Sequence, residues 1–84
     1  MPQVVMYATP DCGYCTRARR LLHRKGVEFT EIAVDQDPAQ RRIMIERSRR
    51  HTVPQVFIDE RHVGGYDDLA QLDAYGELDA LLGL

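Results

Sequence analysis

Apolar positions along the chain fall into short runs whose spacing alternates between strand-like and helix-like. Val4-Val5-Met6-Tyr7, bounded by Pro10, is an apolar run of strand length and predicts a buried strand. A helix is predicted from the Cys12–Gly13 turn: Ala18, Leu21 and Leu22 fall at helical spacing, while Arg17, Arg20 and Arg24 face elsewhere. Lys25 then places a cation in the last turn, and Gly26 suits the position just past it. From Val27 to Val34 the apolar residues alternate (Val27, Phe29, Ile32, Val34), blurred at Thr30, which predicts a second strand. Asp37 and Pro38 suit the N-cap and first position of a second helix, with Ile43, Met44 and Ile45 as its apolar stripe. Val53-Pro54 breaks the pattern. Gln55 to Asp59 reads as a third strand, Glu60-Arg61 as a tight turn and His62-Val63-Gly64 as a fourth strand. Asp67-Asp68 opens a third helix through Leu69 and Leu72, and Glu77 to Leu82 forms a short terminal helix.

The predicted order is βαβαββα plus a short C-terminal helix, in one domain over residues 1–84 with no repeat or linker. An early βαβ unit requires a parallel pair joined by a right-handed crossover, and the late hairpin adds antiparallel strands. The expected class is α/β: a mixed four-stranded sheet with helices on both faces.

Composition narrows the function. The formal net charge of −2 argues against general nucleic-acid binding. Its distribution is uneven: Cys12 to Arg50 holds ten basic and five acidic residues, whereas Asp59 to Leu84 holds seven acidic residues and one basic, Arg61. Solvated helix faces account for most of these charges. A locally positive field beside Cys12 would in addition favour a thiolate and anionic substrates. Met1-Pro2-Gln3 runs straight into the first strand without a basic or apolar leader, and no apolar run approaches the ~20 residues of a membrane span. A cytoplasmic chain without a membrane segment is expected, and there two cysteines three apart are not expected to be a structural staple.

Cys12-Gly13-Tyr14-Cys15 sits where the first strand gives way to the first helix. Positions i and i+3 share one helix face about 5–6 Å apart, within the Cα separation a disulfide tolerates. Cys12 lies at the helix start, beside unpaired N–H groups and the positive end of the dipole, where a thiolate is favoured. Cys15 lies one turn deeper and should be more protonated and less exposed. Cys12 is therefore the expected nucleophile and Cys15 the resolving thiol, with Asp11 as an opposing charge. A zinc half-site would need two further ligands, and His23, His51 and His62 are not paired at ligand spacing. Inert core cysteines are the other structural alternative, but the motif's place in a βαβ unit favours redox chemistry.

Two further segments carry candidate chemistry. Thr52-Val53-Pro54 is either a plain strand start at proline or a cis Val53–Pro54 bond that turns the Val53 backbone outward, to pair with a peptide-like ligand in β fashion. Gly64-Gly65-Tyr66-Asp67-Asp68 is a strand end and helix start whose N–H groups also suit a carboxylate, while Asp68 suits an ammonium group.

With these segments in place the chain resembles the glutaredoxins, and closely the short bacterial dithiol members, from Val4 to Leu82. Cys-x-Tyr-Cys, Thr-Val-Pro and Gly-Gly-x-Asp-Asp at these spacings carry the resemblance. It implies a thioredoxin fold and a glutathione-dependent thiol–disulfide oxidoreductase that reduces protein disulfides and glutathione mixed disulfides, with Cys12 attacking and Cys15 taking part in the dithiol route. The implied glutathione-binding residues are Tyr14, Arg41, Thr52, Val53, Pro54, Gly65, Asp67 and Asp68. Of these, Pro54 matches the family's cis-proline, and Val53 would pair with the cysteinyl part of glutathione. Asp67 and Asp68 would hold its γ-glutamyl end, Tyr14 would flank the sulfur, and Arg41 would meet the glycine carboxylate. Implied partners are glutathionylated or disulfide-bonded proteins, ribonucleotide reductase among them, met by a monomer. Two positions depart from the family pattern: Thr9 stands where Lys is usual, and Gly13 where dithiol members commonly have Pro. Some members lacking that Pro hold a [2Fe–2S] cluster between two subunits. A cluster carrier or sensor bound through Cys12 is thus one alternative, and a glutathione-independent redoxin reduced by a flavoprotein is another, against which Asp67-Asp68 argues.

Overall fold

The computed structural model describes residues 2–84. Eight elements follow one another as β1 (Val4–Ala8), α1 (Gly13–Arg24), β2 (Thr30–Ala33), α2 (Pro38–Ser48), β3 (Gln55–Ile58), β4 (Arg61–Gly64), α3 (Tyr66–Ala74) and α4 (Leu78–Leu81). The sheet order is β2-β1-β3-β4. β1 runs parallel to β2 and antiparallel to β3, which pairs antiparallel with β4. This is the predicted mixed sheet in the predicted order. No helix among the described residues is long and apolar enough to cross a membrane.

Side-chain alternation on β1 and β3 divides the interior in two. Val4, Met6 and Ala8 join Val56 and Ile58 beneath α1, α3 and α4, where Cys15, Ala18, Leu22, Leu69 and Leu78 are fully buried. The opposite face is thinner: Tyr7 and Phe57 pack with Val34 and Met44 of the α2 side. Arg47 closes this face, its guanidinium 4.0 Å from the Phe57 ring centroid and donating to the Tyr7 hydroxyl at 3.1 Å.

Several predicted boundaries move. The second strand is confined to Thr30–Ala33, the residues in register with β1 from Val5 opposite Thr30 to Ala8 opposite Ala33, with Val34 adding one N–H bond to Ala8 at 3.1 Å beyond its end. Val27 and Phe29 pack on the core without joining the sheet. The proposed stripe of α2 narrows to Met44, fully buried, and Ile45, half-buried against the same cluster, while Ile43 is exposed. Three consecutive helical residues are ~100° apart and cannot share one face. The hairpin turn is Asp59-Glu60 rather than Glu60-Arg61, since Arg61 already pairs with Ile58. Asp59 takes the left-handed conformation there, and its backbone and carboxylate both bond to Gln3. The third helix starts at Tyr66, with Gly65 as N-cap, ahead of the predicted Asp67-Asp68. α4 covers Leu78–Leu81.

Candidate active site

Cys12 is the N-cap of α1, in extended conformation, and its Sγ accepts the backbone N–H of Cys15 at 3.0 Å. Ser, Thr, Asp and Asn usually fill this role, so here a sulfur occupies the place where the helix offers its unpaired donors. The Cys12 carbonyl meanwhile accepts the Thr16 N–H at 3.1 Å and the Thr16 hydroxyl at 3.2 Å, which fixes the turn. Both cysteines are free thiols, Cys12 half-buried and Cys15 fully buried. Burial, followed by the hydrogen bond to Cys12, pushes the Cys15 thiol up to about 12. The charge of Cys12 acts in the same direction, against a backbone hydrogen bond from Thr9 and the more distant Arg19.

Across from this turn, the Cys12 thiol donates to the Val53 carbonyl at 3.6 Å. The Val53–Pro54 bond is cis. A cleft of about 320 Å³ beside the sulfur is lined by Tyr14, Arg50, Thr52, Val53, Pro54, Gly65, Tyr66, Asp67 and Asp68. Seven of the eight residues proposed around the thiols are therefore brought together. Arg41 is not in the lining. Its guanidinium donates at 3.3 Å to the carbonyl of His51, the residue before Thr52.

Asp68 lies at the third position of α3, where its carboxylate accepts the Gly65 N–H at 3.0 Å and an Arg50 guanidinium N–H at 2.8 Å. Arg50 is the larger cause of the Asp68 carboxyl lying below its ordinary range, with the Gly65 N–H adding to it. The arrangement leaves no room at Gly64, which has φ +120° and whose Cβ would run into the Asp68 carboxylate. Tyr14 is exposed; it stacks on Tyr66 at 6.3 Å between ring centroids and carries the Arg17 guanidinium 5.3 Å above its own ring. Of the basic residues between Cys12 and Arg50, Arg50 lines the cleft, paired with Asp68, and Arg17 lies over the Tyr14 ring at its rim.

Arg50 and Tyr66 were not legible as site residues. Arg50 lies in a run of arginines with no distinguishing neighbour, and Tyr66 reads as an ordinary helix start. Among the described residues there is no group of three or more His, Cys, Asp or Glu that could hold a metal ion. One chain brings a single accessible thiol toward a [2Fe–2S] cluster, which needs four ligands. A cluster would therefore need sulfur donors from outside this chain, and nothing among the described residues supplies them.

The glutaredoxin family pattern matches residues 4–63. Glutaredoxin 3 of Escherichia coli K12 is 54% identical over 82 residues, spanning 98% of this chain and 99% of that protein. A Pseudomonas aeruginosa glutaredoxin is likewise 54% identical, with 98% of both chains covered. Among solved structures, a buckwheat glutaredoxin–glutathione complex superposes with a TM-score of 0.90 at 29% identity, over 98% of this chain and 77% of that one. The solution structure of a Brucella melitensis glutaredoxin gives 0.86 at 52% identity, over 98% and 89%.

Proposed function

This chain belongs to the glutaredoxin family and is a thiol–disulfide oxidoreductase, and from that premise we propose that glutathione is its co-substrate and that it reduces both glutathione mixed disulfides and protein disulfides. One observation carries the reading: the Cys12 sulfur lies between an amide N–H at a helix start and the Val53 carbonyl, where Val53, Pro54 and the start of α3 line a cleft of about 320 Å³.

In the one-cysteine route the Cys12 thiolate attacks the glutathione sulfur of a mixed disulfide. The old S–S bond breaks, the substrate thiolate leaves and takes a proton from solvent, and glutathione stays on Cys12. A second glutathione thiolate attacks the sulfur of that bound glutathione, oxidised glutathione departs, and the Cys12 thiolate returns. Two electrons pass from two glutathiones to the substrate. In the dithiol route Cys12 bonds one sulfur of a protein disulfide, and Cys15 then loses its proton and attacks Cys12. The substrate leaves fully reduced, and two glutathiones reopen the Cys12–Cys15 bond. Two causes of the high Cys15 pKa, the hydrogen bond to Cys12 and the charge on it, disappear once Cys12 is in a disulfide. Cys15 therefore becomes easier to ionise at the step that uses it.

The recognition roles follow the lining. Once Cys12 has lost its proton, the Val53 carbonyl is free to accept the cysteinyl N–H of glutathione. The start of α3, at Asp67 and Asp68, takes the γ-glutamyl carboxylate on its N–H groups, with Gly65 and Thr52 completing the lining. Its ammonium group shares the Asp68 carboxylate with Arg50. Tyr14 flanks the sulfur, and Arg41, outside the lining and bonded to the His51 carbonyl, would have to turn toward the cleft to meet the glycine carboxylate. The protein acts as a cytoplasmic monomer on glutathionylated or disulfide-bonded proteins. The test is steady-state turnover of a glutathionylated peptide with glutathione as reductant. Saturable turnover with release of oxidised glutathione is the expected result. Reduction by a flavoprotein reductase with none by glutathione overturns the reading.

A further inference from the structure

Behind the cleft, on the thin face of the sheet, a polar chain runs from β4 to the Thr52–Pro54 segment. The Gln55 side chain is fully buried. Its Nε2 donates to the Thr52 carbonyl at 3.1 Å and to the Thr52 hydroxyl at 3.3 Å, and its Oε1 is 2.8 Å from His62 Nε2. A carbonyl can only accept, so the Gln55 amide is oriented with its NH2 group toward Thr52. Its Oε1 therefore faces His62, whose Nε2 must carry the hydrogen. The donors run in one direction: His62 to Gln55, and Gln55 to Thr52. The His62 ring also rests on Phe57, 4.9 Å between centroids, which fixes its plane.

The effect reaches the sulfur through the backbone. Drawing the Thr52 carbonyl inward leaves the next carbonyl, that of Val53, as the one that meets Cys12. We propose that Gln55 and His62 are positioning residues that hold the Thr52–Pro54 segment in register with Cys12 and so set the affinity for the peptide portion of glutathione. The proposal rests on the glutathione reading for its substrate. The hydrogen bond itself survives titration of His62, because Nε2 donates in both the neutral tautomer and the cation. Arg50 and Arg47 face this ring as cations, Asp68 faces it as an anion, and burial is the largest cause holding its pKa below the ordinary histidine range. The neutral, Nε2-protonated ring is therefore the working form at neutral pH.

The test compares His62→Phe, which removes the donor, with His62→Gln, which restores one at similar reach, and with Gln55→Met. Each is read by KM and kcat for a glutathionylated peptide and by the NMR signals of the Gln55 side-chain NH2 group. His62→Phe should raise KM about tenfold, the size of one lost hydrogen bond of ~1.4 kcal/mol, with kcat within about twofold and the Gln55 NH2 signals shifted. His62→Gln should recover most of the KM. The double variant should be no worse than Gln55→Met alone, since coupled residues are not additive. Unchanged KM in a folded His62→Phe, or equal losses in kcat and KM tracking a lower Tm, would overturn the proposal. Those outcomes leave wild-type turnover of glutathione mixed disulfides intact, whereas failure of the glutathione reading removes it in the wild type. If His62→Phe does not fold, the His62→Gln and Gln55→Met pair decides: a Gln55→Met KM equal to wild type overturns it.

Discussion

The two walls of the cleft are held in place by different forces. The wall proposed to make and break bonds is the first turn of α1. It is anchored by apolar packing, with Cys15, Ala18 and Leu22 fully buried beneath it, and within the turn the sulfur is tied by the Cys15 N–H on Cys12. The wall proposed to recognise the ligand, Thr52–Pro54 and Gly65–Asp68, is held by polar ties: Gln55 to Thr52, Arg50 to Asp68, and Asp68 back to Gly65. Packing fixes a sulfur in space, but it does not orient peptide groups toward a ligand. Directional hydrogen bonds do that. The difference predicts that damage to the first wall appears in kcat and damage to the second in KM.

The largest expected effect is Cys12→Ser. A hydroxyl at this position lacks the nucleophilicity of a thiolate, and turnover of a glutathionylated peptide should fall below about one-thousandth of wild type. Full activity in that variant would remove Cys12 from the chemistry. Cys15→Ser should divide the two routes: reduction of a protein disulfide collapses, while turnover of the mixed disulfide stays within a few-fold of wild type, because that route never uses the second sulfur. Equal loss of both would mean that Cys15 acts on the first wall as a whole and not as a resolving thiol.

Asp68→Ala probes the other wall. It removes the acceptor of the Gly65 N–H and the partner of Arg50 at once. KM for the glutathionylated peptide should rise about tenfold with kcat little changed, as expected for loss of binding common to ground and transition states. A fall in kcat with KM unchanged would contradict the division of labour. The same carboxylate is a stability element with a definite pH window. Its folded pKa lies below the ordinary value, so its contribution is full above about pH 4 and is lost as the pH falls through the folded value. Arg19 acts likewise on Glu31, through a bidentate pair at 2.7 and 2.6 Å, far along the sheet edge. Asp68→Asn should therefore flatten only part of the acid limb of unfolding.

The first wall was more legible in the sequence than the second, for a physical reason. A cysteine at the junction of an apolar run and a helical pattern announces its own surroundings, so that Cys12 as N-cap and Cys15 as the buried thiol follow from spacing alone. The recognition wall depends on contacts between distant segments. Arg50 and Asp68 are 18 residues apart, and no local period links Gln55 to His62. Gln55 did carry one signal: a polar residue at the head of the apolar stretch Val56-Phe57-Ile58, which must find partners if buried. The stripe assigned to α2 misled for the opposite reason. Three adjacent apolar residues looked like a buried face, yet the thin side of the sheet accepts only Met44 fully.

The smallest expected effect tests whether the second wall is insulated from the helix that leads into it. α2 ends at Arg49 with φ 60° and ψ 23°, a left-handed C-cap that glycine usually fills. An L-residue costs ~1–2 kcal/mol in that conformation, and the extra freedom of glycine in the unfolded chain offsets ~0.5–1 kcal/mol of the relief. Arg49→Gly should thus stabilise the fold by about 0.5–1 kcal/mol, equivalent to a rise in Tm of roughly 2–8 °C for a domain of this size. Arg49 is absent from the cleft lining, and its backbone N–H already bonds to Ile45 at 2.8 Å, so the helix end should stay in place. KM and kcat should then match wild type. A raised Tm with an altered KM would mean that Arg50, the next residue, is steered by the conformation of Arg49, and that the polar ties do not by themselves hold the recognition wall. A lowered Tm would mean that the left-handed turn is not where the strain lies.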